Sequence, residues 1–123
     1  MKLIEAITRI DKMKSNPYEL SEKLTWLSAL DGMVKAQILD THRGGDALCA
    51  LPYTEETPDD TQLLIPAPHD QIYIWWLGAQ MDYWSGEITR YNNAMALFNA
   101  GYEAFANQYH REHPPLPLAG DFQ

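Results

Sequence analysis

Few residues of this chain are of the types and spacing that catalysis or metal binding requires. His110 and His113 place two imidazoles three residues apart, near the predicted end of a helix. Zinc-binding pairs on helices are more often four residues apart and need a third ligand from elsewhere. We therefore interpret both histidines as solvated residues that suit a helix C-terminus. A small metal enzyme that uses His110 and His113 is kept as a third hypothesis.

Four acidic residues are close together in the middle of the chain, namely Glu55, Glu56, Asp59 and Asp60. Their order does not match a calcium-binding EF-hand loop, and Pro58 interrupts them. A charged loop tip that keeps strand edges from self-associating is the simpler interpretation. We predict no calcium site here.

Two further candidates have simple structural explanations. His69 and Asp70 could form a catalytic pair, but Asp70 is well placed to cap the helix that follows. Cys49 lies among apolar residues and has no ligand residue near it in sequence, so we expect it to be buried and inert. The sequence thus predicts no catalytic residue, no cofactor site and no metal site, and we expect that the protein is not an enzyme.

The composition limits the classes of partner. The chain has 123 residues, which fits one domain, and 17 acidic against 9 basic residues give it a formal charge of −8. Such an excess disfavours binding to DNA or RNA through the phosphates. No stretch is apolar for long enough to predict a membrane span, and the charged N-terminus is not typical of a signal peptide. With a single cysteine, the simplest compartment is the cytoplasm or a particle assembled there.

The strongest pattern in the chain is a heptad run of apolar residues near its C-terminal end. Its members follow at alternating spacings of three and four, namely Ile88, Tyr91, Met95, Phe98, Tyr102, Phe105 and Tyr109. This spacing predicts a helix that extends to about His113 and buries one wide face against other helices.

Three more helices are predicted upstream. One covers residues 3–13, and a second begins at Asn16-Pro17, where Asn16 can cap, and extends to about Thr41. The apolar run 72–77 could be a buried strand, but the spacing after it favours a helix that begins near Pro68. We predict an all-α fold, a bundle of three to four helices that forms a single domain over residues 1–113.

Two segments fall outside this pattern. Residues 43–68 are rich in glycine and proline, and we predict an irregular or β-hairpin arm that projects from the helices. Residues 114–123 contain three prolines and predict an extended tail. Apolar residues in both segments are candidates for partner binding: Leu48, Leu51, Leu63 and Ile65 in the arm, and Leu116, Leu118 and Phe122 in the tail.

Three stretches carry a resemblance to a known family: residues 64–73 (LIPAPHDQIY), 90–100 (RYNNAMALFNA) and 105–107 (FAN). In their amino-acid sequence and their order along the chain, these stretches resemble the head–tail connector or adaptor proteins. These are small proteins encoded in the structural gene block of tailed phages and prophages. The resemblance covers most of residues 1–113 and includes no catalytic motif.

The resemblance implies a mainly helical virion protein with a long central loop and an extended tail. Such adaptors form a ring, usually of twelve copies, between the portal and the stopper or tail proteins. The genome passes through the lumen without tight binding, and no membrane is involved. The expected location is the neck of the virion, assembled in the host cytoplasm. The alternative is a cytoplasmic helical module that binds another protein, with the aromatic face of residues 88–109 as a groove for a peptide.

Overall fold

The structure is a computed structural model that describes residues 1–38 and 51–113 of the chain. These residues form four α-helices: α1 at Leu3–Met13, α2 at Leu20–Gln37, α3 at Ile72–Trp84 and α4 at Ile88–Glu112. A short 3-10 helix at His69–Gln71 leads into α3. Within the described ranges no strand is present, and a single antiparallel bridge joins Lys2 to Gln62. The prediction of a mainly helical fold is confirmed.

Helix α3 is the centre of the packing. Its first half is apolar on every side, and α1, α2 and α4 each pack against it. Ile72, Tyr73 and Leu77 are almost completely buried. A short segment that is apolar on all sides must be surrounded by other parts of the chain. A central helix meets this condition as well as a central strand does. The prediction of a helix at this position is confirmed.

Helices α3 and α4 form an antiparallel hairpin. The turn between them contains Gly86 at φ +76°, a conformation that glycine adopts without steric cost. Further along, the rings of Trp76 and Phe98 have their centroids 5.0 Å apart. Gly101 of α4 lies so close to α3 that a Cβ atom there would be 2.6 Å from Cζ3 of Trp75. The absence of a side chain at this position lets the two helices approach each other.

The apolar face of α4 is buried in its middle and not along its whole length. Phe98 and Phe105 are 4% and 3% exposed, whereas Ile88 at the start of the helix is 57% exposed. The four other members of the heptad run are half-buried. Among the described helices α4 packs mainly on α3, and one helix covers a narrower surface than the wide face that the heptad run creates.

Two predicted helix caps are wrong. Asn16 forms a turn before α2, because its Oδ1 accepts a hydrogen bond from the amide of Tyr18 at 3.2 Å, and α2 begins only at Leu20. Asp70 lies inside the 3-10 helix and does not cap α3, since the backbone is already helical from His69 onwards. Its carboxylate is 3.4 Å from the amino group of Met1.

Candidate functional site

The most unusual polar group in the core is the carboxyl of Asp31, in the middle of α2. Its side chain is fully buried, and each of its two oxygens has a partner. Oδ1 accepts a hydrogen bond from the hydroxyl of Tyr73 at 2.6 Å. Oδ2 accepts one from the hydroxyl of Tyr53 at 2.5 Å and one from the amide of Leu64 at 3.2 Å. The hydroxyl of Tyr73 in turn accepts a bond from the amide of Ile65 at 2.7 Å.

Burial affects the acidity of both partners. Loss of solvation raises the pKa of Asp31 above 3.8, although the hydrogen bonds from Tyr53, Tyr73 and Leu64 oppose that change. Burial, together with the charge of Asp31, raises the pKa of Tyr73 well above 10. A perturbed acid often marks an active site, but Asp31 is enclosed and its donors all belong to this chain. We interpret it as an anchor for the fold.

The anchored segment is the second half of the predicted arm. Leu63 is 5% exposed and Ile65 is completely buried, and both belong to the hydrophobic core of this chain. Leu51 is half-buried and packs against the same core. Backbone hydrogen bonds from Leu3 to Thr61 and from Leu63 to Met1 attach the segment to the start of α1.

The prediction of a projecting arm is therefore wrong for residues 51–68. Tyr53, Leu63 and Ile65 are buried against this chain's own helices instead of a partner. Leu63 and Ile65 have no surface left for another protein. The predicted partner-binding residue Leu48 lies outside the described residues, as do Leu116, Leu118 and Phe122 of the tail.

The candidate metal ligands stay separate. His113 stacks on the ring of Tyr109, with centroids 3.9 Å apart, and its Nδ1 is 3.2 Å from the carbonyl oxygen of Tyr109. Across the described ranges, no three residues of the His, Cys, Asp and Glu types come close enough together to hold a metal ion. The acids of the 55–60 loop are exposed, as expected for a charged tip.

The described residues form an aromatic groove on the surface of the protein. Its cavity volume is about 380 Å³, and it is lined by Tyr18, Glu22, Thr25, Trp26 and Trp84. The rings of Tyr18 and Trp26 meet edge to face, with centroids 5.3 Å apart. The groove is fixed in position, since the Tyr18 hydroxyl is 2.8 Å from Oγ of Ser85 and the carbonyl of Trp26 accepts a bond from the Trp76 indole. Sequence reasoning missed it because Tyr18, Trp26 and Trp84 are far apart in the chain.

Two further apolar surfaces are exposed, and the first of them shares Trp84 with the groove. The first, the turn patch, surrounds the α3–α4 turn and consists of Tyr83, Trp84 and Ile88, which are each more than half exposed. The second, the α1–α4 cleft, is a shallow depression whose rim includes Met13 and Leu97. Met13 is 67% exposed and Leu97 is 52% exposed. Exposed apolar residues gathered in patches are typical of surfaces that contact other proteins.

Comparisons with known proteins give no relative from which a role could be transferred. The chain matches no protein-family model, no curated protein and no solved structure. Among the described helices, none is both long and apolar enough to cross a membrane. The described residues thus present exposed apolar surfaces, an aromatic groove and one buried anchor.

Proposed function

We propose that this chain is a structural subunit of a tailed-phage virion, a head–tail adaptor that forms a ring between the portal and the stopper or tail proteins. The proposal is supported by the resemblance carried by residues 64–73, 90–100 and 105–107, and by a mainly helical fold. The observation that carries it furthest is the presence of two separate exposed apolar surfaces on one small domain.

The turn patch and the α1–α4 cleft share no residue, so one copy can present two different surfaces to its neighbours. A contact between unlike surfaces is heterologous, and repeated heterologous contacts close into a ring when the rotation per copy allows it. The outer side of α4 supports further contacts. It is unusually rich in uncharged amides for a solvated helix, and these are exposed: Asn92, Asn93, Asn99 and Asn107.

The charge suits a channel through which DNA passes. Each copy has a formal charge of −8, and a ring multiplies that charge around its lumen. Like charge repels the phosphates, so the duplex is confined without being bound.

Native mass spectrometry of the purified chain, followed by negative-stain microscopy, tests this function. We expect masses that are integral multiples of 14.1 kDa and round particles with a central hole. Trp84→Ala combined with Ile88→Ala should reduce the assembled fraction, while Glu55→Ala, at the exposed loop tip, should leave it unchanged. A protein that stays monomeric at all concentrations, alone and with a portal ring, contradicts the adaptor.

The aromatic groove favours a second candidate, a cytoplasmic helical module that binds a peptide from another protein. Its volume of about 380 Å³ falls in the range of ligand sites, and aromatic residues dominate its lining. A monomer that binds a helical peptide and never assembles would favour this candidate over the adaptor.

A further inference from the structure

The aromatic groove has the chemistry of a site for a proline-rich segment. Grooves lined by Trp and Tyr bind polyproline II helices, because flat rings pack on the pyrrolidine rings and a pre-formed extended chain loses little entropy. Here Tyr18, Trp26 and Trp84 supply the rings. Trp84 is 64% exposed, so much of its indole is uncovered within a single copy of the chain.

This chain itself contains a segment of the matching type. Residues 114–118 read Pro-Pro-Leu-Pro-Leu, and their sequence favours the polyproline II conformation. A polyproline II helix has three residues per turn, so in that conformation Pro114 and Pro117 would share one edge, and Pro115 and Leu118 the next. Two adjacent apolar edges are the shape that such a groove accepts.

Charge supports the same pairing. Glu22 is exposed on the lining of the groove, and it presents a carboxylate beside the three rings. Arg111, also exposed, lies in the last turn of α4, three residues before Pro114. A segment with its prolines on the rings carries Arg111 within a few residues of them, although Glu112 lies between, and Glu22 is a carboxylate with which this cation can pair. A contact between opposite charges of this kind fixes the direction of binding more than it adds to the affinity.

Geometry excludes the groove of the same copy. Trp84 lies at the α3–α4 turn, four residues before the first residue of α4, and Pro114 follows the opposite end of that helix. The 25 residues of α4 span about 37 Å at 1.5 Å per residue. A five-residue segment in the polyproline II conformation spans about 16 Å at 3.1 Å per residue, which is too short to connect the end of α4 to Trp84 of the same chain.

We infer that the groove formed by Tyr18, Trp26 and Trp84 binds the proline-rich segment 114–118 of a second copy of this chain. The contact joins one end of the first copy to a different surface of the second and is therefore heterologous. The inference deepens the proposed function and rests on its self-association, since it names a contact that would link neighbouring subunits.

A peptide assay tests the contact without requiring a ring. The probe is a fluorescent peptide with the sequence of residues 110–118, HREHPPLPL, titrated with the full-length chain and followed by anisotropy. We expect saturable 1:1 binding that is about tenfold weaker for Trp84→Ala, because exposed tryptophans on such surfaces are frequent sites of binding energy. A peptide with Pro115→Ala and Pro117→Ala should lose affinity by a similar factor.

A matched control comes from the α1–α4 cleft, which shares no lining residue with the groove. Leu97 is 52% exposed and lines the α1–α4 cleft, so Leu97→Ala removes a comparably exposed apolar side chain away from the groove and should leave the peptide affinity unchanged. Because Trp84 is largely exposed, its replacement should also leave the melting temperature close to that of the wild type. Absence of saturation, or equal affinities for wild type and Trp84→Ala, overturns the inference.

A mixing experiment distinguishes the tail contact from other modes of assembly. Full-length Trp84→Ala has a defective groove, and full-length Pro115→Ala/Pro117→Ala has a defective tail. In a 1:1 mixture the intact tail of the first variant can bind the intact groove of the second. Native mass spectrometry should therefore detect heterodimers at concentrations where each variant alone is mostly monomeric. If both variants assemble like the wild type, the tail contact is wrong while the adaptor stands. If the peptide binds but no ring forms, the contact stands and the adaptor is wrong.

Discussion

Asp31 joins α2, α3 and the segment around residues 53–65 through its two carboxylate oxygens. Asp31→Ala would leave two tyrosine hydroxyls and one amide buried without an acceptor. Each unsatisfied group costs about 1–3 kcal/mol, so we expect the free energy of unfolding to fall by several kcal/mol. Urea denaturation measures it, and Asp60→Ala, at an exposed acid, should change stability by less than about 0.5 kcal/mol. A similar loss of unfolding free energy in both variants would contradict the role of Asp31 as an anchor.

The same carboxyl predicts a pH dependence of stability. Burial raises the pKa of Asp31 above its usual 3.8, so the folded chain holds this proton more tightly than the unfolded chain does. The resulting stabilisation is complete below the unfolded pKa and is lost as pH rises through the folded pKa. The difference in unfolding free energy between wild type and Asp31→Asn should therefore decrease from about pH 4 towards about pH 7. A difference that rises or stays constant over this range would contradict the raised pKa.

A sign of this anchor is present in the sequence. Leu24, Leu27, Asp31, Val34 and Ile38 follow at spacings of three and four, so Asp31 occupies a position of the apolar face of α2. A single acid at such a position indicates a buried polar group with partners. The identity of those partners could not be predicted, because Tyr53, Leu64 and Tyr73 are 22 to 42 residues away in sequence.

The packing of α3 against α4 depends on the close approach at Gly101. A methyl group there would lie 2.6 Å from Trp75 and 3.1 Å from Ile72, so Gly101→Ala should destabilise the fold by about 1–3 kcal/mol. Gly32, inside α2, faces open space, and Gly32→Ala should stabilise it by about 0.5–1 kcal/mol through helix propensity. Thermal melts of the two variants compare the same substitution in two helices. Shifts of the same sign would contradict the close approach.

The heptad face of α4 should contribute unequally along its length. Phe98→Ala and Phe105→Ala remove buried rings and should each lower the unfolding free energy by about 3–5 kcal/mol. Ile88→Ala, at a side chain that is 57% exposed, should cost much less. Chemical denaturation gives all three values, and a loss at Ile88 as large as at the two phenylalanines would mean that the start of α4 is also buried.

Periodicity predicted the existence of the helices well and their surroundings less well. The bounds of α1 match residues 3–13, and α4 ends within one residue of His113. The pattern of α4 gives the width of its apolar face but does not give the number of helices that cover it. Glycine and proline in residues 43–68 predict a lack of helix, which is correct for residues 51–68. The burial of residues 51–68 depends on contacts with α1 and α2 that no local pattern encodes.

The charge of the entire chain predicts its behaviour towards nucleic acid. With a formal charge of −8, the purified protein should leave a DNA duplex unshifted in a gel at low salt, where attraction to phosphates would be strongest. A basic protein of similar size serves as the positive control. A band shift that weakens as salt is added would count against a DNA-passing lumen and thus against the adaptor.

The anchoring of Tyr53 and Leu64 to Asp31 has a consequence for how the chain opens. A loop without regular structure usually detaches by local fluctuation, while the helices beneath it stay intact. Here detachment would leave a bare carboxylate in an apolar interior, and the free energy of that exposure is comparable to the stability of a small domain. The segment around residues 53–65 can therefore detach from the core only when the helices separate as well. Its acidic tip at residues 55–60 is open to a protease, while the two ends that hold the tip behave as part of the core.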